Sequence, residues 1–386
     1  MDFVVARPFR AIAGHDAIVD ETGASETTNA RKGPMNVKIG ETEMEKKILF
    51  SIDEDWLALR HEEPIDPAMP VIDPHHHLWD RGSRYLIEEM KQDIDASGHN
   101  VRGTVFLQCD SMYRADGDPK FAPIGETEFV NGVAAMSASG IYGPARICAG
   151  IVGFADLLLG AEVDAVLQAH LRAAGERFKG VRYCSVWDAD RSIKSTSWDI
   201  AEGVLLDCKF RAGFARLARY GLSFDAWLYH PQIRELTGLA REFPDTIIVL
   251  DHVGAPLGIG AYAGRREEVS ADWRRAIAEL AQCPNTRVKL GGMGMHMFGF
   301  AFHQQPVPPS SEQLAKAWRP FFETCVEAFG PQRAMFESNF PVDKRFYGYG
   351  VMWNAFKRLS VSLSADEKAE LFFRTAQRTY RLPVAL

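Results

Sequence analysis

Cysteine is sparse in this 386-residue chain: there are only six, and no two of them form a CxxC pair. Cys109, Cys148, Cys184, Cys208, Cys283 and Cys325 are scattered, several of them inside apolar runs. That argues against a disulfide framework or a zinc–cysteine site and reads as reduced thiols in a cytoplasmic protein. No stretch approaches the ~18 consecutive apolar residues of a membrane span. The N-terminus has neither the basic segment nor the long apolar segment of a secretory leader, which also points to the cytoplasm. The net charge of −7 is not gathered into blocks, so nothing marks a nucleic-acid surface and a small molecule is the expected partner. A Gly-rich phosphate turn after an early strand is missing too, which counts against an open, doubly wound dinucleotide-binding sheet.

What is present is the balance of a large globular core, with 46% hydrophobic and 25% charged residues. Residues 1–45 carry no hydrophobic period and are rich in turn formers around Glu21–Pro34, so they read as a disordered or loosely attached extension. Residues 46–386 are expected to form one domain. An amphipathic piece at Asp55–Arg60 and a Pro-punctuated connector lead into eight short β-rich runs: 71–73, 103–108, 146–154, 178–183, 222–228, 246–250, 286–290 and 334–337. Helical periodicity lies between and after them at 161–174, 231–242, 271–282, 311–329 and 365–380. Eight βα units predict an α/β fold, a (β/α)8 barrel of about 250 residues enlarged and open to distortion by long loops after the strands.

In such a barrel the working residues sit where strands end. The first strand ends in Asp73-Pro-His75-His76-His77, where His75 and His77 share one side of an extended chain and His76 faces away. The fifth ends at His230, the sixth at Asp251-His252, and the eighth runs into Glu337-Ser-Asn339-Phe-Pro341-Val-Asp343. Imidazoles from three strands at one rim suit a shared metal ion or water. Arg182 lies inside an apolar strand and needs a partner there. Gln108, Tyr113, Arg114, Trp187, Lys289, Lys344 and Arg345 follow or end other strands and suit a substrate carboxylate, with a surface salt bridge as the alternative reading for Arg114, Lys344 and Arg345. The Gly- and Met-rich segment Gly291–Phe300 reads as an adaptable loop over the pocket, with His296 incidental to it.

The segments Ile72–Trp79, Phe178–Arg182, Leu250–Gly254, Val288–Gly291 and Phe336–Pro341, in this order, resemble the amidohydrolase-2 branch of the amidohydrolase superfamily, including its fuconolactonase-like and dicarboxylate-lactonase-like members. The resemblance implies a TIM barrel in which His75 and His77, with His230 or His252, hold a divalent metal such as zinc or manganese; lactonase-type relatives that work without metal leave a metal-free site open. It also implies an Asp in the S-D-[WFY]-P motif after the last strand, and here that position is Asn339. An amide cannot serve as a base at neutral pH. His252, Glu337 and Asp343 are the candidate replacements; His252 is preferred for its ordinary imidazole pKa, and Asp343 is expected in a surface loop. The expected activity is hydrolysis of a lactone or related cyclic ester bearing a carboxylate, by water attack on a polarised carbonyl. Non-oxidative decarboxylation on the same scaffold, or a ligand-binding barrel without activity, are the alternatives, and a homo-oligomer is left open.

Overall fold

The computed structural model describes residues 51–193, 196 and 198–385, so the extension expected over residues 1–45 lies outside the described residues. Eight strands form one sheet: β1 (Pro70–His76), β2 (Asn100–Leu107), β3 (Arg146–Gly153), β4 (Phe178–Cys184), β5 (Ser223–Trp227), β6 (Ile248–Leu250), β7 (Thr286–Leu290) and β8 (Ala334–Phe336). Each pairs in parallel with its neighbours in chain order. Closure is made just beyond β8. Asn339 N–H donates to the His75 carbonyl at 2.9 Å, His77 N–H donates to Phe340 O at 2.7 Å, and Phe340 bridges His76 in parallel. The barrel is therefore sealed at its C-terminal rim, where the histidine-rich end of β1 lies.

The intervening helices are α1 (Ile87–Ser97), α2 (Ile124–Ala138), α3 (Val163–Ala174), α4 (Cys208–Phe214), α5 (Ile233–Glu242), α6 (Arg266–Ala281), α7 (Ser311–Phe329) and α8 (Tyr349–Leu359). In α7 the apolar positions Leu314, Trp318, Phe321, Phe322, Cys325 and Phe329 recur at helical spacing and are buried. Ser310 and Gln313 form a capping box at its start, satisfying backbone donors that the first turn would otherwise leave unpaired. Burying a side chain such as Phe321 contributes about 1.5–3 kcal/mol. Helices α1, α2, α4 and α8 belong to the expected βα units, but their ranges had not been singled out from the periodicity. The run expected to be a single helix over 365–380 is instead α-helical at Ala365–Ala369, π-helical at Glu370–Arg374 and α-helical again at Thr375–Thr379.

That C-terminal run plugs the barrel. Ala376, Tyr380, Leu382 and Val384 pack in one cluster with Ile72, Val105, Leu107, Val152, Val249 and Met335 from the strands. Lys179 Nζ, near the start of β4, donates to the Arg381 carbonyl at 3.2 Å, which places the plug at the end opposite the rim. The floor of the site is therefore packed with apolar side chains. No helix among the described residues is long and apolar enough to cross a membrane.

Candidate active site

Six strands send polar side chains into one buried cluster, and a seventh adds a backbone carbonyl. Asp73 and His75 come from β1, Arg182 from β4, Asp225 from β5, Asp251 and His252 from the end of β6, Lys289 from β7, and Glu337 follows β8; β2 contributes the carbonyl of Gln108. All but Arg182 are buried; the Arg182 side chain keeps 11% of its surface. Lys289 Nζ sits 2.8 Å from Asp225 Oδ2, 3.1 Å from Asp251 Oδ1 and 3.2 Å from His75 Nδ1. The same His75 nitrogen is 2.7 Å from Glu337 Oε2 and 3.6 Å from Asp251 Oδ1. Arg182 donates to Asp251 Oδ2 at 3.3 Å and to the Gln108 carbonyl at 2.9 Å. From below, the Tyr380 hydroxyl donates to Asp225 Oδ2.

Glu337 holds His252 on two sides. Its Oε1 takes the His252 ring nitrogen Nδ1 at 2.7 Å and the His252 backbone N–H at 3.2 Å. A ring nitrogen that close to a carboxylate oxygen carries the proton, which leaves Nε2 with the lone pair. Local backbone strain accompanies the placement, for His252 and Val253 have φ of 53° and 50°. The loop after β7 presses on the pair from outside. A Cβ at Gly291 would fall 2.5 Å from Glu337 Cγ, and one at Gly292 2.2 Å from His252 Nδ1, so only glycine fits. The segment Gly291–Phe300 thus packs directly on the cluster, with Met293, Met295 and Met297 buried and His296 exposed.

Burial pushes His252 down to about 3, against the ordinary value on which it was preferred as a base. Burial and the Lys289 charge take His75 down to about 4. Both rings are neutral at pH 7 and keep lone pairs. Burial pushes Asp225 up to about 6, countered in part by Lys289. Asp251 lies well below the usual carboxylate range because Lys289 and His75 outweigh its own desolvation. Lys289 is desolvated as well, yet Asp225, Asp251 and Glu337 hold it above its ordinary value, so it stays charged.

The remaining expected residues divide. His77 lies beside His75, with ring centroids 5.0 Å apart; its Nδ1 meets the Leu107 carbonyl at 2.8 Å and its Nε2 lies 3.3 Å from Asn339 Oδ1. His76 turns away, its Nε2 2.8 Å from Thr104 Oγ1. Asp343, expected in a surface loop, is buried: it accepts from Asn339 Nδ2 at 3.0 Å, from Gly294 N at 3.0 Å and from the Tyr347 hydroxyl. His230, expected as a metal ligand, is not among the converging donors. It opens a 3-10 turn beyond β5, packs on Tyr262 at 5.2 Å and accepts from Leu257 N–H at 3.4 Å. Gln108 donates to Asp110 and Tyr113, close to Arg182. Trp187 is half-buried, and its backbone N–H donates to Gln232 Oε1 at 3.1 Å. Lys344 is committed to Asp93 at 2.8 Å and Glu54 at 2.9 Å, and Arg114 pairs with Glu128 at the surface. Asp225 and Tyr380 were missed. A carboxylate inside the apolar strand Ser223–Trp227 is the same kind of signal that singled out Arg182.

The donor set fits a divalent ion. His75 Nε2 is buried without a hydrogen-bond partner among the described residues, and donor atoms of His75, His252 and Glu337 all lie within 4.8 Å of one another. Two neutral imidazoles and a carboxylate suit zinc or manganese.

Residues 72–382 match the family described as Amidohydrolase. The chain is 34% identical over 336 residues to the uncharacterized protein y4mH of Sinorhizobium fredii, covering 81% of this chain and 98% of that one. It is 30% identical over 178 residues to the L-fucono-1,5-lactonase of Burkholderia multivorans, covering 46% and 57% of the two chains. Among solved structures, an amidohydrolase from Burkholderia multivorans with bound zinc superposes with a TM-score of 0.62 at 23% identity, over 81% of this chain and 99% of that one.

Proposed function

The chain belongs to the amidohydrolase family, and from that premise we propose that it hydrolyses a lactone, with His252 as the base and Glu337 as the group that orients it. The observation that carries this reading is the buried His252 Nδ1–Glu337 Oε1 contact of 2.7 Å at the barrel rim. The likeness to a named lactonase supports the substrate class.

Water approaching the lactone carbonyl gives its proton to His252 Nε2 as the C–O bond forms, and Glu337 stabilises the imidazolium that results. Arg182, the one cluster member that is not fully buried, faces the developing oxyanion or a substrate carboxylate. Collapse of the tetrahedral species breaks the ring C–O bond, and His252 returns the proton to the leaving alkoxide, so a hydroxy acid is released. Burial of the base keeps bulk water from competing for it. His75, His252 and Glu337 would hold a divalent ion, which would supply Lewis-acid polarisation and a more acidic water; His252 Nε2 would then be a ligand, and its role as base belongs to the site without the ion. Gln108, Tyr113 and Trp187 line the approach and orient the ring; Asn339 and His77 brace the rim beside His75. Lys344 has no place in the substrate set because two carboxylates already hold it.

The test is acid release from a panel of sugar-derived and aromatic-ring-derived lactones, followed with a pH indicator. Turnover of at least one lactone is expected, abolished in His252→Ala and in His75→Ala while the far-UV spectrum is retained. A purified, folded chain that opens none of them, or a His252→Ala variant of undiminished rate, sinks the reading.

A further inference from the structure

Three carboxylates, Asp225, Asp251 and Glu337, are buried within the barrel beside one another, and each is in reach of the same ammonium or of a ring that touches it. Removing anions from water without a counter-charge is costly, so such a cluster demands a cation. A divalent metal is one source. This chain carries another: Lys289 is buried without exposed side-chain surface, 2.8 Å from Asp225, 3.1 Å from Asp251 and 3.2 Å from the Nδ1 of His75. Its position is over-determined. Asp225 is fixed by the hydroxyl of Tyr380 from the C-terminal plug and by Ser223 Oγ at 3.4 Å, so the lysine cannot swing out towards solvent. Its nearest neighbour on the metal-donor side is the imidazole of His75, whose other nitrogen is the unpartnered one.

We propose that Lys289 is the resident cation of the site, held in place by Asp225 and Tyr380, and that its charge opposes a divalent ion at His75, His252 and Glu337 and so sets how tightly that ion is bound. Lys289 is a positioning and charge-setting residue here, acting through His75 and Asp251. The inference rests on the reading of this cluster as the active centre, and deepens it by assigning what governs its demand for metal. An ammonium within about 4 Å of a ligating ring lies well inside the screening length, so its repulsion of a second cation is felt almost undiminished in a buried site.

The experiment is calorimetric titration of zinc into chelator-treated full-length protein, with no substrate present, so that its result is independent of whether a lactone is turned over. Lys289→Met is expected to bind zinc at least tenfold more tightly than the unmodified chain, and Lys289→Arg to stay within about threefold of it, because a tenfold change is about 1.4 kcal/mol and retention of charge removes that difference. Asp225→Asn keeps the lysine and deletes one anion, so it is expected to weaken zinc at least tenfold. This second variant decides the matter if Lys289→Met does not fold. Equal or weaker zinc binding by folded Lys289→Met, tighter binding by Asp225→Asn, or no zinc binding by the unmodified chain and both variants alike, overturns the proposal.

Discussion

Asn339 donates through Nδ2 to Asp343 Oδ1 at 3.0 Å, so the carboxylate missing from the strand-8 motif stands one helical turn further on and touches the amide that replaced it. The amide's other end lies 3.3 Å from His77 Nε2, and the opposite nitrogen of that ring meets the Leu107 carbonyl. Burial pushes Asp343 up to about 7, countered in part by the hydrogen bonds it accepts from Tyr347, Gly294 and Asn339.

Exchanging the two side chains tests the pairing. Asn339→Asp alone sets two buried carboxylates side by side, and at pH 8 it should cost about 1–3 kcal/mol of stability in urea denaturation. Asn339→Asp with Asp343→Asn should recover most of that loss, a coupling of about 1 kcal/mol or more. Additive losses would show that the two residues act separately.

The pH profile of kcat/KM reads the base. His252 must be neutral to accept a proton, so activity falls as pH drops through its pKa, which burial places at about 3. A lactone assay should therefore stay flat from about pH 8 to about pH 5, where a solvated imidazole would already have lost most of its rate. An acid limb centred near 6.5 would place the working base elsewhere.

Gly292→Ala puts a methyl group 2.2 Å from His252 Nδ1 at a φ of 67°. Turnover should fall at least ~100-fold, with about 1–3 kcal/mol of lost stability. Gly264→Ala is the control: its φ is 76°, yet a Cβ there meets nothing within 4 Å. It should cost about 1 kcal/mol of backbone strain and leave the rate unchanged.

Glu126 in α2 is buried and accepts Cys109 N–H at 3.0 Å and Ser111 N–H at 2.8 Å, pinning the loop that carries Gln108 and Tyr113. Burial pushes it from 4.5 up to about 8. The native chain thus holds a proton that the unfolded chain releases between those values, so this residue's contribution to stability is lost as pH rises through the window. Glu126→Gln has no such proton. Its stability relative to the unmodified chain should rise by about 4 kcal/mol between pH 5 and pH 8.5, and a difference that does not change with pH would contradict the assignment.

Much of the barrel was legible because its strands are short apolar runs bounded by turn residues; β7 and α7 fall at the expected residues. Of the helices that escaped notice, α2 lacks contrast between its faces. Glu126, Thr127 and Ser137 in α2 are buried polar residues, and α8 buries Tyr349, Asn354 and Lys357 along with its apolar positions. In the site, the histidines announced themselves by their place at strand ends. Asp225 could not announce Tyr380, which lies 155 residues away and meets it only through the plug. His230 opens the 3-10 turn His230–Gln232 and packs on Tyr262, a local turn that the end of an apolar run does not foretell.

The link between Asp225 and Tyr380 also bears on how the chain is made. A polypeptide leaving the ribosome in order exposes all eight strands before Tyr380 arrives, so the nascent barrel must tolerate a wet, unstoppered base for the time taken to add its last turns. The apolar strand residues Ile72, Val105, Val249 and Met335 gain their cover from the plug only with those last turns.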